Sequence, residues 1–174
     1  MLQCARFLLP LAAVELKRGN VACSECRSSC RPRLLEIQSN MLKLADARRI
    51  IASAEKKAVE IGQPMNIAVV DEGANLIAHI RMDKAWIGSI DISINKAFTS
   101  RAFNISTKEL AENSQPGDQF FGIHASNHDR VMIFAGGIPL KDKDGNVIGA
   151  IGVSGGSGVQ DHQVAEAGAS AHTC

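Results

Sequence analysis

Five histidines, His79, His124, His128, His162 and His172, are the residues best suited to hold a metal or move a proton, and the chain has no tyrosine to serve as nucleophile or iron ligand. His124-x-x-x-His128 would present two imidazoles from one helix face, yet GIHASNHDR carries neither a helical apolar stripe nor the acidic residue of a zincin. Surface-loop histidines are the expectation there. In LIAHIRM, strand alternation sets His79 beside Arg81 on one face, a candidate axial ligand next to a cation that can meet a carboxylate. The plainer alternative is a histidine satisfied at a sheet surface or subunit contact. His162, after Asp161, and His172 read as solvated helix residues.

The cysteines are unevenly placed: Cys4, Cys23, Cys26 and Cys30 precede residue 31, and Cys174 ends the chain. Cys23-x-x-Cys26-x-x-x-Cys30 sets three thiols within one loop's reach of a metal, with Cys4 as a fourth ligand for tetrahedral zinc. A zinc ribbon needs a second knuckle at a set distance, so unpaired thiols are favoured and no metal site is expected. The body of the chain, free of cysteine, suits a reducing compartment such as the cytoplasm. The glycine clusters GGIP and SGGSG lack the phosphate-loop and dinucleotide fingerprints. They are expected to permit close packing, with an anion nest at the start of the last helix as a second reading. Ser154 is not in G-x-S-x-G, and Asp83 with Lys96 offers an acid and a base without a geometry.

Positioning these groups falls to one domain. The chain has 174 residues, 45% hydrophobic and 21% charged, ordinary globular usage. Its net charge of +1 and its single tryptophan argue against nucleic-acid binding. The apolar run FLLPLAAV (7–14) is too short to span a bilayer, and the charges at once behind it disfavour export. SECRSSCRPRLLEIQSN reads as linker, so residues 1–40 are expected to be a flexible extension or a misassigned start, and 41–174 the domain.

Within it, helical spacing of Ala47, Ile50, Ile51, Ala54, Ala58 and Val59 predicts a helix over 41–61, and NIAVVD and LIAHIRM flank a turn at 72–75. Asp83 is expected to cap a second helix whose stripe is Ile87, Ile90, Ile94, Ala97 and Phe98; Ser106 and Glu109 predict a short third. RVMIFA (130–135) reads as a strand, resumed at 138–140, followed by the turn 143–146, the apolar strand 147–153 and a helix over 158–172. The order α-β-β-α-α-β-β-β-α implies an antiparallel sheet with helices packed on it, an α+β layer fold. Its apolar, glycine-rich last strand and few covering helices predict a homo-oligomer.

At IAVVDEGANLIAHIRMD, NKAFTS and IFAGGIPL…GNVIGAIGVSGGSGVQD, residues 41–172 resemble the GlcG/HbpS-like haem-binding, haem-degrading family. TKELAENSQPGDQFFGI is similar to members encoded beside glycerol or propanediol dehydratases, and to the carboxy-terminal domain of PduO-type corrinoid adenosyltransferases. The resemblance implies a five-stranded antiparallel sheet flanked by helices, a profilin-like layer fold, small oligomers and, for some members, haem. The family's motifs fall here on Arg81-Met82-Asp83, Lys96-Ala97, Gly136-Gly137-Ile138-Pro139 and Gly152-Val153-Ser154-Gly155-Gly156, with Ala74 replacing a usual glycine. On that reading Arg81 and Lys96 face haem propionates, and His79, His124, His128 or Met82 meets the iron near Gly136 and Gly137. The alternative function is a non-catalytic accessory module of a cobalamin-dependent dehydratase system.

Overall fold

The computed structural model describes residues 41–172, and the readings made on Cys4, Cys23, Cys26, Cys30, Cys174 and the run 7–14 lie outside the described residues. Helix α1 (Leu44–Glu60) buries Ala47, Ile50, Ile51, Ala54 and Ala58, as its spacing predicts, and gives way at Gly62, whose φ is +70°. β1 (Asn66–Val70) and β2 (Leu76–Arg81) form the expected hairpin. α2 (Gly88–Phe103) and α3 (Thr107–Glu112) follow, then two single 3₁₀ turns at 123–125 and 127–129. β3 (Gly137–Lys141), β4 (Val147–Ser154) and α4 (Gly158–Ser170) complete the fold.

The sheet is antiparallel with the order β2-β1-β4-β3, so among the described residues it has four strands, not five. The missing strand is the one expected over 130–135. The Met132 amide N–H donates to Thr99 Oγ1 of α2 at 2.9 Å, and the Arg130 guanidinium stacks on the Phe98 ring at 3.8 Å. That segment is therefore tied to a helix, and β-branched composition alone does not make it a strand. Pairing starts only after Gly136, whose carbonyl accepts from the Val153 N–H at 2.8 Å while its φ is +126°.

Both hairpins are closed by the same device. Asp71 Oδ1 accepts from the N–H groups of Gly73 and Asn75 at 2.8 Å each, and Asp142 Oδ1 from those of Asp144 and Asn146 at 2.9 and 2.8 Å. In each case the side-chain amide of the asparagine returns to the aspartate, at 3.2 Å. These are carboxylate-capped Asx turns, which hold the short connection in place of a type I′ dipeptide. Ala74, within the first of these turns, has φ +60°.

One sheet face carries Ile67, Val69, Ile151 and Val153 beneath α1 and Val164 and Ala165 of α4, which is the main core. The other carries Ala68, Val70 and Ala150 beneath Ala97 of α2. There α2 buries only part of the expected stripe: Ala97 lies fully buried on the sheet and Ile94 packs beside it. Its buried residues include Ser89, Ser93, Lys96, Ala97 and Ser100, while Ile87 is 73% exposed and Ile90 and Ile94 are only half-buried. The cause is Gly152 in β4: a Cβ there would collide with the Ser93 carbonyl and the Ala97 amide, so the helix backbone rests directly on the strand. Only small side chains fit under a helix seated that closely. Asp83 does not cap α2, which starts at Gly88 after a turn with no side-chain cap.

Candidate functional site

Register places His79, Ala68, Gly152 and Gly137 in one row across the four strands. His79 therefore stands at one sheet edge and Gly137 at the other, three strand spacings or roughly 14 Å apart. The candidate residues divide accordingly. At the β3 edge lie Lys96, Gly136 and Gly137; at the β2 edge lie His79 and Arg81; His124 and His128 sit exposed on the two 3₁₀ turns.

Lys96 leaves the middle of α2, and its ammonium is fully buried. It donates to Asp161 Oδ2 at 2.6 Å and to the Val153 carbonyl at 2.9 Å, and lies 4.6 Å from the centre of the Phe134 ring. Asp161 Oδ1 accepts from the Gly156 N–H at 2.9 Å. Burial pushes Lys96 below the ordinary lysine value, against the attraction of Asp161, and pushes Asp161 above the ordinary carboxylate value, against the attraction of Lys96. Gly136 makes the room: a Cβ there would sit 2.7 Å from Nζ and 2.5 Å from the Val153 oxygen. Gly137 lets the strand approach α2 and α3, since its Cβ would fall 2.6 Å from both the Lys96 carbonyl and Thr107 Cγ2, and its N–H donates to Thr107 Oγ1 at 2.8 Å. Lys96 is thus committed inside the protein and does not reach out to a propionate. Asp161 is buried, not solvated, and is the residue that sequence reasoning missed.

An open groove of about 360 Å³ runs between Ala135 and the first turns of α4. Ala135, Gly158 and Val159 supply its apolar walls, with His162 and Lys108 also lining it. Ser157 builds the entrance to α4 through a capping box with Gln160, a signature legible in SxxQ. His162 is half-buried: Nε2 faces Glu166 Oε1 at 3.3 Å, and Nδ1 is buried with no hydrogen-bond partner. His172 is likewise half-buried, not solvated, with Nδ1 unpartnered.

At the opposite edge, His79 Nε2 is also buried without a partner, and desolvation lowers its pKa below the ordinary histidine value. Arg81, two residues on and exposed, donates Nε–H to the Ala85 carbonyl at 3.0 Å. Met82 cannot join them. It packs on the core side of the sheet, where its sulfur accepts from the Met65 N–H at 3.4 Å. Among the described residues no three His, Cys, Asp or Glu side chains gather as a metal cluster, and no helix is long and apolar enough to cross a membrane.

The family model for the "Haem degrading protein HbpS-like" group matches residues 42–170. An uncharacterized 15.0 kDa protein from the dhaT-dhaS intergenic region of Citrobacter freundii is 42% identical over 125 residues, spanning 72% of this chain and 87% of its own. The corrinoid adenosyltransferase PduO of Salmonella typhimurium is 31% identical over 125 residues, 72% of this chain but only 37% of that longer protein. The crystal structure of Klebsiella pneumoniae protein ORFY superposes with a TM-score of 0.74 at 38% identity, covering 78% of this chain and 92% of that one. The crystal structure of a PduOC:heme complex superposes with a TM-score of 0.71 at 30% identity, covering 75% of this chain and 94% of that one.

Proposed function

Because this chain belongs to the HbpS-like family of haem-degrading proteins, we propose that it binds haem. The observation that carries the reading is the solved complex of a 30% identical relative with haem, a relative whose chain is matched over 94% of its length. The residues present fit such a group. A groove of about 360 Å³ lies within the range of ~300–1,000 Å³ usual for bound small molecules, and its walls are apolar. His162, whose Nε2 faces Glu166, and Lys108, which supplies a cation, both line that groove.

In this reading His162 and Lys108 would hold the group, with Val159 and Ala135 as the apolar wall beside it. Bound haem supplies iron-centred redox and ligand-binding chemistry, which the protein tunes through the axial ligand and access. His79 is the second candidate, favoured by its unpartnered Nε2 and by Arg81 two residues along the same strand face. His124 and His128 project from exposed turns and serve as controls.

Haemin titration followed by visible spectra tests the proposal. A saturable Soret band is expected, shifted and weakened in His162→Ala and unchanged in His124→Ala and His128→Ala. If His79→Ala alters the band and His162→Ala does not, the site lies at the β2 edge. A protein that ignores haemin overturns the reading and leaves the accessory-module role, which the match to PduO supports. The protein is further proposed to work as a homo-oligomer, supported by the outward apolar face of α2, and in a reducing compartment, supported by the absence of cysteine from residues 31–173.

A further inference from the structure

Most glycines of this fold are demanded by their place: each either has a positive φ, as at Gly136, or lies where a Cβ would collide, as at Gly152. Among the described residues Gly88 and Gly158 are not. Gly158 is the first residue of α4, its φ lies outside the left-handed region, and a Cβ there would meet Ala135 Cβ alone, at 3.7 Å, an ordinary van der Waals contact. Neither backbone nor packing calls for glycine, and glycine is a poorer helix residue than alanine. What distinguishes the position is that Gly158 and Ala135 both line the groove of about 360 Å³, so that a side chain at 158 would stand between its two walls. The missing side chain is space that the groove keeps.

We propose that Gly158, facing Ala135, is a specificity-determining residue of this groove, keeping open a gap that admits the edge of a flat apolar ligand; the assignment rests on the haem reading above. The walls set the ligand class. Ala135 and Val159 are apolar, Val159 is 69% exposed, and burying such surface rewards a ligand in proportion to the apolar area it covers. Lys108 and His162 add the few polar groups by which a largely apolar site orients what it binds. A compact molecule seated elsewhere in the groove would not feel a methyl group at 158, whereas one whose edge passes between positions 135 and 158 loses its seat. The role is one of shape. Glycine has no side-chain atom to offer iron, so a change at 158 acts on the fit of the ligand and not on the coordination of its metal.

Haemin titration and thermal unfolding of the full-length parent, Gly158→Ala, Gly158→Leu and Gly88→Ala test this. Gly88 is the matched control: it opens α2 as Gly158 opens α4, a Cβ there would meet nothing within 4 Å, and it does not line the groove. Both alanine variants are expected to unfold at or above the temperature of the parent, because alanine suits a helix better and restricts the unfolded chain. Gly158→Ala should nevertheless weaken haemin binding about fivefold or more, as an added methyl does in a filled site, and Gly158→Leu further, while Gly88→Ala binds as the parent does. At saturation the Soret maximum of Gly158→Ala should match that of the parent, since no iron ligand is replaced. A Gly158→Ala protein that binds haemin as tightly as the parent, or that loses no more than Gly88→Ala, overturns the role of Gly158 and leaves the haem reading standing. A Gly158→Ala protein that melts well below the parent overturns it too, because the fold would then require the glycine. A parent that ignores haemin overturns the haem reading and this assignment with it.

Discussion

Lys96 and Asp161 stand 65 positions apart and meet at 2.6 Å in the interior, where the same ammonium also reaches the Val153 carbonyl of β4 and the ring of Phe134. One cation therefore joins α2, β4, α4 and the segment leading into β3. Withdrawing both charges from water offsets much of their attraction, so the pair specifies an arrangement more than it adds stability.

Removing one partner is predicted to cost far more than removing both. Lys96→Met leaves Asp161 buried and uncompensated, and is expected to lower unfolding free energy by about 3–5 kcal/mol. Lys96→Met with Asp161→Leu should recover at least half of that loss. Urea midpoints of the three proteins give the answer; a double variant as unstable as the single would mean that packing, not charge, sets the cost.

Gly136 and Gly145 both have positive φ, +126° and +86°, but only at Gly136 does a Cβ meet neighbours. Gly145→Ala should therefore lose only the backbone component, about 1 kcal/mol. Gly136→Ala, which also drives into Lys96 Nζ and the Val153 carbonyl, should lose at least ~3 kcal/mol. Equal midpoints for the two variants would refute the idea that the glycine makes room for the ammonium.

Burial holds the folded His79 pKa below 6.5, so in the unfolded chain this ring takes up a proton that it refuses in the folded one. The unfolded state then binds more protons as pH falls through about 6.5, and stability drops until the lower folded value is passed. His79→Gln should flatten this part of the profile as pH falls below about 6.5. Parallel slopes for parent and variant over that window would show that other groups carry the dependence.

The seating of α2 on Gly152 predicts which of its residues tolerate change. Ala97→Leu is expected to destabilise by about 1–3 kcal/mol or more, since no space separates the helix from the strand. Ile87→Gln, measured at concentrations too low for association, should stay within about 0.5 kcal/mol of the parent. The reverse ranking, read by thermal or urea unfolding, would restore the conventional orientation.

That helix also marks where the sequence stops being legible. The periodicity of α1, the two turns and the Ser106 cap on α3 rest on local chemistry, and all three are realised, with Ser106 Oγ accepting from the Glu109 N–H at 3.1 Å. In α2 only Ala97 of the apolar stripe is fully buried, because the partner surface is glycine, and nothing within residues 88–103 encodes the nature of β4. Likewise RVMIFA has strand composition but spends its backbone on Thr99, a tertiary competition invisible locally. At the candidate site Lys96, Gly136 and Gly137 were marked by motif alone, while Asp161 carries no local sign of burial. A buried lysine demands a carboxylate, and the aspartate closing SGGSGVQD answers that demand.

The twin aspartate turns carry a consequence for the order of assembly. Each closes a loop of a few residues, and its carboxylate, backbone amides and asparagine are all local, so both hairpins can form before distant parts of the chain meet. The β1–β4 ladder, which pairs Asn66 with Ser154 and Val70 with Ala150, must instead wait for α2, α3 and the intervening loop to be gathered in. The barrier to folding is therefore predicted to be the docking of two finished hairpins along their inner strands. Asp71→Ala and Asp142→Ala, if they destabilise the protein, should accordingly slow its refolding in a stopped-flow experiment more than they hasten its unfolding.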